Sequence, residues 1–369
     1  MISSSAMPPD TGATVARPAR RCHSNPMTAA IRQAFADQAD WARRLDAPFT
    51  EQLCETLGTI IDESTETGRR VLGWRGDPRA DALVLRLLGG LNAMVRGGEA
   101  PSLAALYPPN PLPDSAMLAT GLGATLADPR LLPWLDSAPQ TNEVARSGML
   151  MPGMLVIAAE TRLPLRLFEL GASAGLNLRM DGYRYDFAGQ ISGPGDAPLT
   201  LAPAWQGPPP PLAPVIIIER CGVDLAPVDV RDPAGRARLL AYVWPDQTAR
   251  IERLSAAMAA FANDPAPLDA GDAAPWVEQH VAPRPGTATV VYHSIAWQYF
   301  PRNTQARIAA HLKKLAAAAT AANQLAWLRC EFEQANAPRP TLRLTMWPGG
   351  EDRLLAYGHP HGATVEWLG

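Results

Sequence analysis

The stretch Leu165–Tyr185, LRLFELGASAGLNLRMDGYRY, constrains the fold of this chain more than any other. Leu165, Leu167, Phe168 and Leu170 form a short apolar run that carries one acid, Glu169. A turn of small residues follows: Gly171, Ala172, Ser173, Ala174 and Gly175. Leu176–Met180 can then begin a helix. Strand, acid, glycine turn and helix, in that order, make the ligand-binding corner of a doubly wound sheet. Glycines let backbone N–H groups approach a ligand closely, and the turn delivers it to a helix N-terminus. The same residues also spell G-x-S-x-G, the nucleophile turn of a serine hydrolase, so two chemistries start from one motif.

The remainder of the second half alternates as such a sheet requires. Val215–Ile218 is an apolar run suited to a buried parallel strand. Asp232-Pro233 marks a helix start, and Ile251, Leu254, Met258 and Phe261 form a helical stripe. Pro267–Ala273 is a short strand and turn, Thr287–Tyr292 a buried strand, and Ile308, Leu312 and Leu315 another helix face. Leu325–Phe332 reads as a strand. Leu342–Trp347 and Arg353–Tyr357 flank Pro348-Gly349-Gly350 and read as an antiparallel pair. The prediction is an α/β protein with a Rossmann-like, mostly parallel sheet and an antiparallel C-terminal edge.

A helical domain precedes this sheet. Apolar stripes over residues 27–110 predict a helical bundle that caps part of the site, and the breaker Tyr107–Asp114, YPPNPLPD, separates it from a second domain, 111–369. The Pro/Gly-rich segment 183–214, with four consecutive prolines at Pro208–Pro211, reads as a surface insertion. Residues 1–26, rich in Ser, Pro, Ala and Arg, read as a disordered tail. No secretory signal and no transmembrane run is visible, so a cytoplasmic protein without membrane partners is expected. With 369 residues, 47% hydrophobic and 19% charged, the chain can bury a large core. A net charge of −3 without a basic block argues against a nucleic-acid partner. Cys22, Cys54, Cys221 and Cys330 are too scattered for zinc and read as reduced thiols, and no metal is expected.

Three signals fall at successive strand ends. The first is Glu169-x-Gly171-x-x-x-Gly175 with Ser173, Ala174 and Asn177. The second is Gly222-Val223-Asp224, where a carboxylate can accept both hydroxyls of a ribose. The third is Gly271-Asp272-Ala273, where Asp272 can accept from an adenine amino group. Together they predict S-adenosylmethionine as cofactor and a methyltransferase topology, a fold in which an antiparallel C-terminal pair is also expected. Asp224 lies farther along the chain than such an acid usually does, because 183–214 intervenes, and Asp229 is a possible substitute. His293, Trp297 and Gln298 follow the fourth strand, where they would face a small-molecule methyl acceptor. Histidine can take a proton near neutral pH, and Trp297 and Tyr299 can stack on a ring or cation. Asn142, Glu143 and Arg146 share one helical turn just upstream of the central strand. They can pair with one another or face a polar substrate.

TNEVARSGML, PLRLFELGASAGLNLRMDGYRY, GVDLAPVDV with the later VWPDQ, and VVYHSIAWQYFP resemble the bacterial family labelled domain of unknown function 2332, from about Phe35 to the C-terminus. The resemblance implies the methyltransferase-like topology rather than a particular reaction. It carries the family's polar signatures onto Glu169, Gly171, Ser173, Ala174, Gly175 and Asn177, onto Asn142, Glu143 and Arg146, onto Asp224, and onto His293, Ser294, Trp297 and Gln298.

Two other readings start from the same residues. A serine hydrolase would use Ser173 with Asp272 and His293, or with Asp352 and His359 or His361. It lacks an HGGG-type oxyanion loop upstream, and Glu169 suits a cofactor turn better. A non-catalytic module would keep the fold and bind a nucleotide-like ligand or a partner. His359-Pro360-His361 reads as a loop.

Overall fold

Apolar runs bounded by turn residues become strands buried on both faces. In the computed structural model, which describes residues 26–334 and 337–369, β1 (Leu165–Leu170) and β8 (Thr287–Ser294) are buried along their whole length. The other strands are β2 (Arg184–Phe187), β3 (Gln190–Ser192), β4 (Thr200–Leu201), β5 (Ala204–Gln206), β6 (Ile217–Asp224) and β7 (Leu268–Ala270). After β8 come β9 (Asn323–Glu331), β10 (Thr341–Trp347), β11 (Asp352–Gly358) and β12 (Thr364–Trp367). The tail expected over 1–26 lies outside the described residues, apart from Pro26.

The main sheet has nine strands in the order β5-β12-β11-β10-β9-β8-β1-β6-β7. From β7 through β6, β1 and β8 to β9 every pairing is parallel. These strands occur in the chain as first to fifth and lie in space as 3-2-1-4-5, so the winding reverses between β1 and β8. Such a switch point opens a crevice at the carboxyl ends of the strands. The expected antiparallel edge is present as a meander, β9-β10-β11-β12, with β5 parallel to β12 at the far side. No helix among the described residues is long and apolar enough to cross a membrane.

The first half is helical: α1 (Pro26–Arg44), α2 (Pro48–Ile60), α3 (Glu66–Leu72), α4 (Leu83–Arg96), α5 (Pro101–Ala104), α6 (Ser115–Leu126) and α7 (Leu132–Asp136). Its apolar core runs from Ile31 to Leu135, so α6 and α7 join it beyond the proline breaker. Then come α8 (Ser147–Thr161), α9 (Pro233–Ala241), α10 (Thr248–Asn263), α11 (Ala273–His280) and α12 (Arg302–Ala316).

The two halves are tied by polar contacts. Asp246, from the VWPDQ motif, accepts from the backbone N–H groups of Phe49 and Thr50 and from the Thr50 hydroxyl, at 2.7, 3.0 and 2.6 Å. It thereby caps α2, whose own preceding residue, Ala47, has no side chain to do so. Asn92 of α4 donates to the Ala241 carbonyl at 2.9 Å and accepts from Tyr107 at 3.1 Å.

Two local features differ from expectation. The segment after the glycine turn is a 3-10 helix, Leu176–Gly182, with a kink at Arg179, so no full α-helix starts there. Tyr183 and Tyr185 tie the next strand back onto it, donating to the carbonyls of Leu176 and Met180 at 2.7 and 2.6 Å. The 183–214 insertion builds a small sheet, β3-β2-β4, and sends β5 to the edge of the large one.

Candidate functional site

At the switch point the glycine turn lies between β6 and β8. Gly171 has φ +69° and Gly175 φ +74°, a region glycine enters without strain. A Cβ at Gly171 would stand 2.6 Å from Ala296 of the loop after β8, so glycine here also permits that loop to close down. Ser173 shares the left-handed conformation, with φ +54°.

The turn spends most of its backbone donors inside the protein. Gly171 and Ala172 donate to the Val223 carbonyl at 2.9 and 3.0 Å, and Gly175 donates to Ala172 at 2.7 Å. Ser173 donates to Oδ2 of Asp224 at 2.8 Å, and Leu176 to Oδ1 of Asn142 at 3.0 Å. Asp224 Oδ1 also accepts from the Ala226 N–H at 3.0 Å. The Asp224 side chain is half-buried at the end of β6, one strand away from β1. Asp229 is elsewhere: it pairs with Arg231 and lines a cleft of about 710 Å³ with Trp134, Gln140, Asp232 and Arg238.

Glu169 is 2% exposed. Burial pushes its carboxyl up to about 8, against the opposing pull of a hydrogen bond from Tyr292 on the neighbouring strand, 3.2 Å away. The negative charge of Asp224 pushes in the same direction as burial, and a hydrogen bond with Asn177 opposes both. Asn177 in turn accepts from Ser147 at 2.8 Å.

His293 is buried, with both ring nitrogens engaged. Nδ1 lies 2.6 Å from Glu331 Oε1, and Nε2 accepts the indole N–H of Trp327 at 3.1 Å. That bond assigns the proton to Nδ1 and leaves no free lone pair for an acceptor. Glu331 also accepts the N–H groups of Ala296 and Trp297 at 3.0 and 3.2 Å, and the Trp297 ring stacks on His293 with centroids 4.8 Å apart. His293, Trp297 and Glu331 therefore shape the loop that closes on Gly171. Gln298 and Tyr299, in the same loop, point to solvent.

Asn142, Glu143 and Arg146 sit beside the turn, as their place upstream of β1 suggested. Glu143 caps a short 3-10 helix, accepting from the Ala145 N–H at 3.2 Å, and lies 2.5 Å from Arg250 Nε of α10 as an ion pair without hydrogen-bond alignment. Burial opposes its ionisation, but Arg250, His361 and Arg146 together hold Glu143 below the usual carboxylate range. Arg146 donates to the carbonyls of Pro360 and Ser294 at 2.9 and 3.0 Å, linking the loop after β11 to the end of β8. Burial and then the charge of Arg250 push His361 down to about 3.

The third acid follows Gly271, whose N–H donates to the backbone carbonyl of Asp224 at 2.9 Å. Asp272 follows β7 at the sheet edge, caps α11 through the Ala274 N–H at 2.8 Å and accepts from Thr304 at 3.0 Å. Ala273 is buried in the first turn of that helix.

The residues of the expected triads are engaged as follows. The Ser173 hydroxyl is buried without a hydrogen-bond partner, His293 is held by Glu331 and Trp327, and Asp352 pairs with Arg329 and Arg343.

Residues 32–367 match the family labelled domain of unknown function 2332, described as an uncharacterized protein conserved in bacteria. The chain belongs to that family. No curated protein and no solved structure matches it. The match spans both halves, so the family comprises the helical part together with the sheet. Sequence reasoning missed Tyr292, Glu331, Trp327 and Arg250, which hold the key side chains in place. Glu331 ends a strand on the site edge, a position that can be read as a signal. Arg250 sits on an amphipathic helix and carries none.

Proposed function

We propose that this protein binds S-adenosylmethionine at the ends of β1, β6 and β8 and methylates a small molecule. The observation that carries this reading is Asp224, a half-buried carboxylate at the end of the strand beside the glycine turn, in a sheet wound 3-2-1-4-5. Two backbone N–H groups orient it, and an ionised carboxylate has acceptor sites left for a cis-diol. Glu169 supports the reading, because a buried carboxyl, pushed up by burial that outweighs the charge of Arg146, suits the ammonium of the cofactor's amino-acid end. Leu225 and Tyr299, 74% and 75% exposed, offer apolar faces from loops on either side of the turn, and Asp272 would take the adenine amino group. Asn142, Glu143 and Arg146 would face the acceptor. With His293 occupied, this chain's residues would act by positioning the acceptor against an already activated methyl group.

A second reading, a non-catalytic module that binds a nucleotide-like ligand or a partner, is favoured by the internal use of the turn's N–H groups. Calorimetric titration with S-adenosylhomocysteine separates the two. Micromolar binding that Asp224→Ala abolishes is the expected result. Absence of binding by the folded wild-type protein would overturn the first reading and leave the second.

A further inference from the structure

We propose that the crevice between α10 and the segment Thr141–Val144 is a binding subsite for a small oxyanion, the carboxylate or phosphate group of a ligand. It shares Asn142 and Glu143 with the acceptor side proposed above, but its test does not require the cofactor.

The argument is one of charge. Arg250 and Arg253 lie one helical turn apart on α10, and both line the crevice with Asn142 and Glu143. Glu143 is the carboxylate there, and it is paired with Arg250. Arg253 has its Nε buried with no hydrogen-bond partner. Arg146, the next guanidinium, satisfies its donors on the carbonyls of Pro360 and Ser294 and shares the charges of Glu143 and Glu331. Three guanidiniums, Arg146, Arg250 and Arg253, thus stand against two carboxylates, Glu143 and Glu331. The balance is positive. A buried donor without an acceptor, such as Arg253 Nε, is costly, and a bound anion relieves it with a charge-assisted hydrogen bond.

The crevice measures about 10 Å³, room for one water or one terminal oxygen. Thr141 at its mouth is exposed, so the rest of a ligand would remain outside. Such a site recognises an anionic tip rather than a whole molecule.

The test uses scanning calorimetry on the full chain at constant ionic strength, with sodium phosphate in one series and sodium acetate in another. Wild type is compared with Arg253→Gln and with Arg307→Gln, a control at an exposed surface pair. Arg253→Gln strands no partner, so it should fold. The expected result is a saturable rise in Tm for wild type and Arg307→Gln, with half-saturation at least tenfold higher in Arg253→Gln. A response to phosphate alone identifies a phosphoryl ligand, to acetate alone a carboxylate, and to both an unselective oxyanion site. No saturable rise with either anion, or an equal rise in Arg253→Gln, would overturn the proposal.

Discussion

The backbone N–H of Ser173, in the middle of the glycine turn, donates to Oδ2 of Asp224 at 2.8 Å. This one bond joins the motif after β1 to the acid after β6, although 51 positions separate them in the chain. It explains how an acid displaced by a long insertion still reaches the turn. The insertion folds as its own small sheet and returns the chain to the neighbouring strand.

Removing that acid should loosen the turn as well as any ligand site. Asp224→Ala leaves the buried Ser173 N–H without an acceptor, at a cost of about 1–3 kcal/mol. Urea denaturation should show a lower midpoint with an unchanged slope. A midpoint equal to wild type would mean that the bond contributes nothing.

Glu331→Ala should free the loop over Gly171. The carboxylate holds His293 and the N–H groups of Ala296 and Trp297, and no other acceptor for those two N–H groups is seen. A loss of at least about 2 kcal/mol is expected, with faster amide exchange at Ala296 and Trp297. Glu331→Gln, which keeps an acceptor oxygen, should lose less than half as much. Equal losses in both variants would contradict this account.

Ser173 should behave as a structural residue. A fluorophosphonate probe should leave it unlabelled, since among the described residues its hydroxyl has no hydrogen-bond partner and His293 is held by Glu331. Ser173→Ala removes an unpartnered hydroxyl and should change stability by no more than about 0.5 kcal/mol, or raise it. A stoichiometric adduct at Ser173 would restore the hydrolase reading.

The sheet was legible because its strands carry their own signals. β1 and β8 are continuous apolar runs, and β10 and β11 flank a Pro-Gly-Gly turn. The acids Glu169 and Asp224 were legible because each stands at the end of a strand beside the turn. What stayed hidden is pairing across distance. Glu143 meets Arg250, and His293 meets Glu331, through folding alone, and no local period announces either contact. The histidine looked free in sequence because its two partners lie on another strand, β9. The helix expected after Gly175 is there in its tighter 3-10 form, with Tyr183 and Tyr185 bonded back onto its carbonyls.

Asp246 should prove a fastening between the halves. Its carboxylate supplies the N-cap that α2 lacks, from 196 positions away. Asp246→Ala should cost about 1–3 kcal/mol, and amide exchange should quicken first at Phe49 and Thr50. Unchanged protection there would show that another group replaces the cap.

The final prediction concerns pH. Burial holds Glu169 up to about 8 in the folded protein, while in the unfolded chain it is an ordinary carboxyl near about 4.3. Between those values the folded state keeps a proton that the unfolded state has released. The unfolded state therefore binds fewer protons, and stability falls as pH rises through the window. Below it both states are protonated, and above about 8 both are ionised and the loss is complete. Glu169→Gln has no such titration but keeps an oxygen to receive Tyr292. Other groups titrate alike in both proteins, so their difference isolates residue 169. Relative to the Gln variant, wild type should lose on the order of a few kcal/mol between pH 5.5 and 8.5, read from urea midpoints. A constant difference across that range would show that Glu169 is ionised at neutral pH. A cation or an unseen donor would then have to be supporting it, and the rationale for an ammonium-bearing ligand beside it would fall.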